Sequence, residues 1–394
     1  MSDYATGGRF RLGRMLPRDP HEPHRVASSL ELFFDLVFVI SVSTASSQLH
    51  HALSEGHAAT GITSYLMIFF AIWWAWMNFT WFATSFDVDD WLYRVVTIVQ
   101  MAGVLVLAAG IAPVFDAHEP DFTIVVAAYV VMRVAMIVQW LRASRTNPAL
   151  RRTARTYAIG IGAVQVLWVG FLFIPDSIQL PVFIVLMLTE ISVPIIAERQ
   201  GSTPWHSHHI TERYSLFTLI VLGESLLASA TAIIGAREEV ESIGPLIWIA
   251  AVTLISAAAM WWIYFWPPHH HAISTLRSSL TYGYAHYFVF AAAAAFSAGV
   301  EVQIDELTGH TELGFVPASF TTSVPIAVFL LGIWIVAIRD NADRVVNTVV
   351  PLGAVLVLLD AVLPVPVTLT AVILVAIVVV LVLRPPVRKE HSAR

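Results

Sequence analysis

Apolar positions in this chain come as continuous runs, cut at near-regular intervals by short polar stretches. Neither a two-residue alternation nor a single apolar stripe describes them. A run of about 20 residues spans a hydrocarbon core of about 30 Å at helical rise. In lipid, a helix of that length satisfies its own backbone hydrogen bonds. The pattern predicts about twelve helices. They cover 28–51, 61–83, 92–113, 121–141, 156–174, 180–198, 209–234, 244–266, 278–300, 317–338, 345–363 and 367–384. The last two are short and meet at Pro364-Val365-Pro366. The expected fold class is all-α, a polytopic membrane helix bundle.

The polar interruptions alternate in charge. Arg9, Arg11, Arg14, Arg18 and Arg25 precede the first run. Arg94, the group from Arg142 to Arg155, Arg199, Arg277, Arg339 with Arg344, and Arg384 to Arg394 fall in every second gap thereafter. The gaps between hold a single basic residue, Arg237, beside acids such as Glu55, Asp116, Asp176, Glu238, Glu239, Glu241, Asp305 and Glu312. Basic loops stay on the cytoplasmic side, so both termini are expected inside the cell, at the inner or plasma membrane. Residues 1–27 then form a cytoplasmic N-terminal segment and 385–394 a cytoplasmic tail. The leading residues show no short apolar region followed by a small-residue cleavage site, so the first run is expected to act as an uncleaved anchor.

An internal repeat is also visible. Glu31 opens "ELFFDLVFVIS" as Glu212 opens "ERYSLFTLIVLGES"; Trp73-Trp74-Ala75-Trp76 corresponds to Trp261-Trp262-Ile263-Tyr264. Tyr93 through Ala109-Gly110 corresponds to Tyr282 through Ala298-Gly299. Six helices per half is an even number, so halves 28–198 and 199–384 would share one orientation, a 6+6 parallel pseudo-repeat of a kind found in transporters.

Composition narrows the chemistry. Of 394 residues, 57% are hydrophobic and 13% charged, with mean hydropathy +0.73 and net charge −6. There is no cysteine, which excludes disulfides, thiolate nucleophiles and thiolate metal sites. No Gly-rich phosphate loop, nucleophile elbow or zinc-protease helix appears. The arginines from Arg142 to Arg155 suit anionic lipid headgroups and give no sign of nucleic acid. No cofactor is called for. The expected partners are membrane lipids, an unknown small solute or ion, and optionally a second copy of the chain.

Charges inside lipid-length runs are costly and mark sites of function. Glu31 and Asp35 lie one turn apart on a polar face that continues through Ser43, Ser46 and His50. Capping of the helix start by Ser28 or Ser29, with an acid favoured by the dipole, also accounts for Glu31, less well for Asp35. Glu224 lies about 18 Å beyond Glu212 along its helix, near the bilayer centre. Glu190 and Arg133 should lie at similar depth. Arg133 needs a carboxylate partner, and Glu190 and Glu224 are the candidates; the acid left over would carry a proton or cation. Gly223, beside Glu224, is expected to admit a neighbouring backbone. His286 either relays protons or hydrogen-bonds a neighbouring helix. His206, His208 and His209, and then His269, His270 and His271, cluster at the cytoplasmic boundary. His208 and Glu212 have a chelating spacing, which makes His208, His209 and Glu212 weak metal candidates. The histidines serve equally well as helix-end groups. Of the tryptophans, Trp73, Trp74 and Trp76 sit deep enough for a cavity wall; the others suit the interface.

"SSLELFFDLVFVISVS" from Ser28 to Ser43 and "HHITERYSLFTLIVLGESLLA" from His208 to Ala228 resemble the two signature segments of the bacterial low temperature requirement protein A family. "WWIYF" from Trp261 to Phe265 and "YAH" from Tyr284 to His286 resemble its later segments. The matching residues are Glu31, Phe34, Asp35, Glu212, Arg213, Gly223, Glu224 and His286. The resemblance implies a multi-spanning membrane protein and no particular reaction. The residues themselves point to a secondary transporter, proton-coupled, with Glu224 and Asp35 as coupling acids. Glu31, Glu212, Arg213 and His286 would line or gate the cytoplasmic side. A membrane enzyme using the histidine clusters, and a channel or scaffold, are the alternatives; no enzyme signature favours the first.

Overall fold

The computed structural model describes residues 12–387 apart from 21, 23, 24, 239 and 241. Arg9, Arg11, Glu239, Glu241, Arg388, Lys389 and Arg394, used above to read the loops, lie outside the described residues.

Every predicted run is helical. The elements are α1 (Ser29–Ser54), α2 (Ala58–Ser85), α3 (Trp91–Ala109), α4 (Ile111–Val114), α5 (Thr123–Thr146), α6 (Arg151–Phe171), α7 (Asp176–Glu198), α8 (Ser207–Ala236), α9 (Gly244–Phe265), α10 (Leu276–Thr308), α11 (Phe315–Ile333), α12 (Arg344–Asp360) and α13 (Pro366–Leu383). A π-turn over Trp334–Ile338 extends α11. Among the described residues, nine of these spans are long and apolar enough to cross a membrane. The predicted runs outside that set are α6, which opens on Arg151, Arg152 and Arg155, and the short α12 and α13. Side chains facing outward are themselves apolar, as at Phe173, Ile159, Val166 and Ile234, which suits a lipid surround.

The chain divides by contact into two compact units, Met1–Ser41 with Ala71–Glu212, and Val42–Phe70 with Arg213–Arg394. The cuts fall inside α1, α2 and α8.

In the first unit α3, α5, α6 and α7 pack in chain order, joined by short loops. Its core is aromatic. Trp140 stacks on Tyr157 with centroids 4.0 Å apart, Phe82 meets Trp140 edge-on, and Phe34 stacks on Phe79 at 3.9 Å. Trp73, Trp74 and Trp76 are buried in this core.

The described N-terminal segment is strapped down. Leu16 and Pro17 pair antiparallel with Asp87 and Phe86, Met15 is fully buried, and Thr146 Oγ1 donates to its carbonyl at 2.9 Å. Asp90 ties segment and helix together. It caps α3 by accepting from Tyr93 N (2.9 Å), and it also accepts from Gly13 N (2.8 Å) and the Arg142 guanidinium. Burial pushes the Asp90 carboxyl up, but these donors outweigh it and hold it below the ordinary carboxylate range. A depressed carboxylate stabilises the fold above its unfolded value of about 4, and that contribution is lost as pH falls through the folded value. Asp90→Ala should cost roughly 2–3 kcal/mol near neutral pH, through the lost cap and an unpaired Arg142. The gap between wild type and variant should narrow on acidification, which melting curves in detergent between pH 7 and pH 3 would show.

In the second unit α10 packs along α11, α11 on α12, α12 on α13, and α13 on α9. α10 is built for length. Thr275 and Ser278 form a capping box at its start, and Gly309, at φ 78°, ends it in the left-handed conformation. The Ala291–Ala295 run lets neighbours approach its backbone: Tyr65 Oη donates to Ala291 O at 2.6 Å, and Ser46 Oγ to Ala294 O at 3.0 Å.

Candidate functional site

The second unit holds a cavity of about 490 Å³ walled by α1, α8 and α10. Helical spacing puts its polar groups on one face of each wall. α1 presents Ser43, Ser46, Ser47 and His50; α10 presents Ser297, Glu301, Asp305 and Thr308; α8 presents Glu224 and Thr231. Serine hydroxyls hold the walls together, with Ser46 bonded to Ala294 O and Ser225 Oγ donating to Ala293 O at 3.3 Å.

His50 is clamped between two carboxylates of α10. Its Nε2 lies 2.7 Å from Asp305 Oδ2 and its Nδ1 3.2 Å from Glu301 Oε2. Ser54 Oγ donates to the same Asp305 oxygen at 2.6 Å. The Asp305 contact is a hydrogen bond, whereas the Glu301 contact is an ion-pair distance without hydrogen-bond alignment, so an imidazolium here would bond Asp305 and balance the charge of Glu301 beside it. Glu224, half-buried on the opposing helix, has no hydrogen bond or ion pair among the described residues.

The remaining sequence-derived candidates sit elsewhere. In the first unit Glu31 is buried at the start of α1. It accepts from Ser28 N at 2.6 Å while its own N–H donates to Ser28 Oγ at 3.3 Å, a reciprocal cap. Arg25 and His209 approach it at 3.4 and 3.2 Å. Asp35 has 0% exposure, and Trp76 Nε1 donates to it at 2.6 Å. His206 Nδ1 accepts from His209 N at 3.2 Å, so this histidine tract starts α8 as well as meeting Glu31. Nearby in sequence Glu212 is partly exposed and His208 is exposed. Among the described residues no group of three or more His, Asp or Glu side chains is placed to hold a metal ion.

Arg133 and Glu190 form a buried ion pair, with Arg133 Nη2 at 3.0 Å from Glu190 Oε1. Trp168 Nε1 donates to Glu190 Oε2 at 2.6 Å, and Tyr129 Oη bonds the guanidinium. Of the two acids the sequence offered for Arg133, it takes Glu190.

In the second unit Arg213 is fully buried, and His286 sits in a closed aromatic box. His286 Nδ1 donates to Tyr282 O at 2.7 Å, which leaves Nε2 to accept from Tyr264 Oη at 3.1 Å. His269 Nε2 donates to Tyr264 O at 2.7 Å, so its Nδ1 accepts from Tyr282 Oη. Each ring thus carries one proton in this network, and burial pushes the His269 imidazole down to about 4. Among the described residues the close backbone approach expected at Gly223 is absent: that face of α8 is exposed, and nothing lies within 4 Å of where its Cβ would be.

Sequence reasoning missed Glu301 and Asp305 as site residues. It ended the helix at residue 300, a bilayer's thickness from its start, whereas α10 continues to Thr308. The signal was present: no breaker precedes Gly309, and Ser297, Glu301, Asp305 and Thr308 repeat at helical spacing. Asp360 was missed as well; it is buried and accepts from Thr370 Oγ1 at 2.7 Å and Ser323 Oγ at 3.3 Å.

Long apolar helices, an apolar exterior and a carboxylate-lined cavity among three of the helices define a polytopic integral membrane protein. The chain belongs to the bacterial low temperature requirement A protein family: the model described as "Bacterial low temperature requirement A protein (LtrA)" matches residues 26–383, a range that holds every residue of the cavity. It is also 27% identical over 209 residues to an uncharacterized protein of Rhizobium meliloti (strain 1021), a match covering 51% of this chain and 50% of that one. The chain thus spans about half the length of that curated relative.

Proposed function

We propose that the protein is a proton- or cation-coupled secondary transporter whose coupling site is the cavity of Glu224, His50, Glu301 and Asp305. The observation that carries this is a carboxylate, Glu224, facing a carboxylate–imidazole–carboxylate trio in a polar cavity within an apolar bundle. The walls come from α1 of the half 28–198 and from α8 and α10 of the half 199–384, which supports a site shared by two repeats. With both termini in the cytoplasm of a bacterial cell membrane, the cavity lies toward the outer ends of these helices. Glu224 is the coupling acid. Asp35 on Trp76 and Glu190 on Arg133 clamp helices, and Glu31 with His209 closes the cytoplasmic start of α1.

Proteoliposomes holding a pH-sensitive dye test this against a panel of alkali cations, aliphatic amines, amino acids and carboxylic acids. At least one panel member should move protons faster than in empty liposomes, and Glu224→Gln should cut that flux by about tenfold or more. Flux from no panel member, or undiminished flux in the variant, overturns the proposal.

A further inference from the structure

The geometry points to a small protonated aliphatic amine as the ligand of this cavity. The inference rests on reading the cavity as the substrate site.

Charge excludes anions first. Among the described residues three carboxylates line the space and no Arg or Lys does, and His50 already lies against Glu301 and Asp305. Glu224 is left without a counter-charge among the described residues. A second, independent group is unpaired: Ser297, 1% exposed and lining the same cavity, has an Oγ with no hydrogen-bond partner among the described residues. A buried hydroxyl left unpaired costs about 1–3 kcal/mol, so a ligand that pairs it gains by that amount. A group with positive charge and several N–H donors, one for the Glu224 carboxylate and one for the hydroxyl oxygen, satisfies both. A primary ammonium has three.

Size and lining narrow the class. The cavity, about 490 Å³, is many times the roughly 30 Å³ share of one water, so it suits a polyatomic cation. No set of His, Asp and Glu is placed to hold a bare metal ion among the described residues. Leu227, Ala228, Ala232 and Ile304 offer apolar surface for a short methylene chain. Among the described residues the only rings on the lining are the imidazoles of His50 and His310, which form no aromatic cage of the kind that favours quaternary ammonium groups.

The test is calorimetry on the purified full chain in lipid nanodiscs, with methylammonium, 1,4-diaminobutane, tetramethylammonium and acetate as probes. The two primary amines should bind saturably, tetramethylammonium about tenfold more weakly or worse, and acetate not at all. Glu224→Gln should lower amine affinity about tenfold or more. Ser297→Ala, which removes only an unpartnered hydroxyl and leaves the packing intact, should lower it about threefold or more. No heat from either amine, acetate or tetramethylammonium binding as tightly, or wild-type amine affinity in Glu224→Gln overturns the inference. Glu224-dependent amine binding without coupled flux in proteoliposomes supports it and removes the transport reading. Glu224-dependent flux of another solute, with no amine binding, leaves transport standing and overturns the inference alone.

Discussion

Arg133→Ala is expected to destabilise the protein by roughly 3–5 kcal/mol, because it leaves the Glu190 carboxylate buried with no counter-charge. Glu190 has 4% exposure and lies between α5, α6 and α7, so water cannot replace the guanidinium without opening the helix contacts. Two further losses accompany it. Tyr129 Oη loses the guanidinium donor, and the cation above the Tyr129 ring, 4.5 Å from its centroid, is gone. Glu190→Gln should cost less, since a glutamine oxygen still accepts from Trp168 Nε1. The double variant Arg133→Met with Glu190→Leu removes both charges and keeps the volume, and it should recover most of the loss. Denaturation in mixed detergent micelles measures all three. If the pair only clamps helices, the double variant also keeps wild-type proton flux in liposomes; a dead but stable double variant would move these residues into the transport machinery.

That pair shows how far the chain could be read by eye. A buried arginine demands an acid, so Arg133 announced a partner, and two were in range by depth. The choice between Glu190 and Glu224 depends on which helices touch, and no periodicity within one helix encodes that. The long apolar helices were legible because lipid enforces their length; nine of them are long and apolar enough to cross a membrane among the described residues. The ends were not, where a helix continues past the bilayer: the last turns of α10, from Glu301 to Thr308, are polar enough to resemble a loop, and the acids facing His50 were lost with them. His50 itself was visible as the end of a polar face on α1. The histidines at 206–209 resembled a ligand set because composition cannot show that one ring caps a helix and another meets Glu31. Gly223 illustrates the opposite error, a small residue read as a contact when it faces outward.

Gly299 is the glycine where a contact does require the missing side chain, and Gly299→Ala should cost about 3 kcal/mol, the upper end for overpacking. A Cβ there would lie 2.2 Å from Thr321 O, 2.6 Å from Thr321 C and 2.9 Å from Thr322 N. All three are backbone atoms of α11, so no rotamer change relieves the clash and the two helices must separate. Gly170→Ala is the control: nothing lies within 4 Å of the added carbon, and a helical glycine is unfavourable by about 0.5–1 kcal/mol, so that variant should be neutral or slightly more stable. Gly110 is also tight, with Ile124 Cγ2 at 2.7 Å and Val125 N at 3.0 Å from where its Cβ would be. Each of these glycines thus meets the next long helix of its own unit, α5 or α11. Gly299 lies between Ser297 and Glu301 on α10, so pushing that helix off α11 shifts a cavity wall as well as loosening the fold. Thermal melting should fall in Gly299→Ala, and proton flux at a temperature where the variant is still folded should fall with it. Wild-type flux from a destabilised Gly299→Ala would mean that the position of α10 is not what sets the geometry of the proposed coupling site.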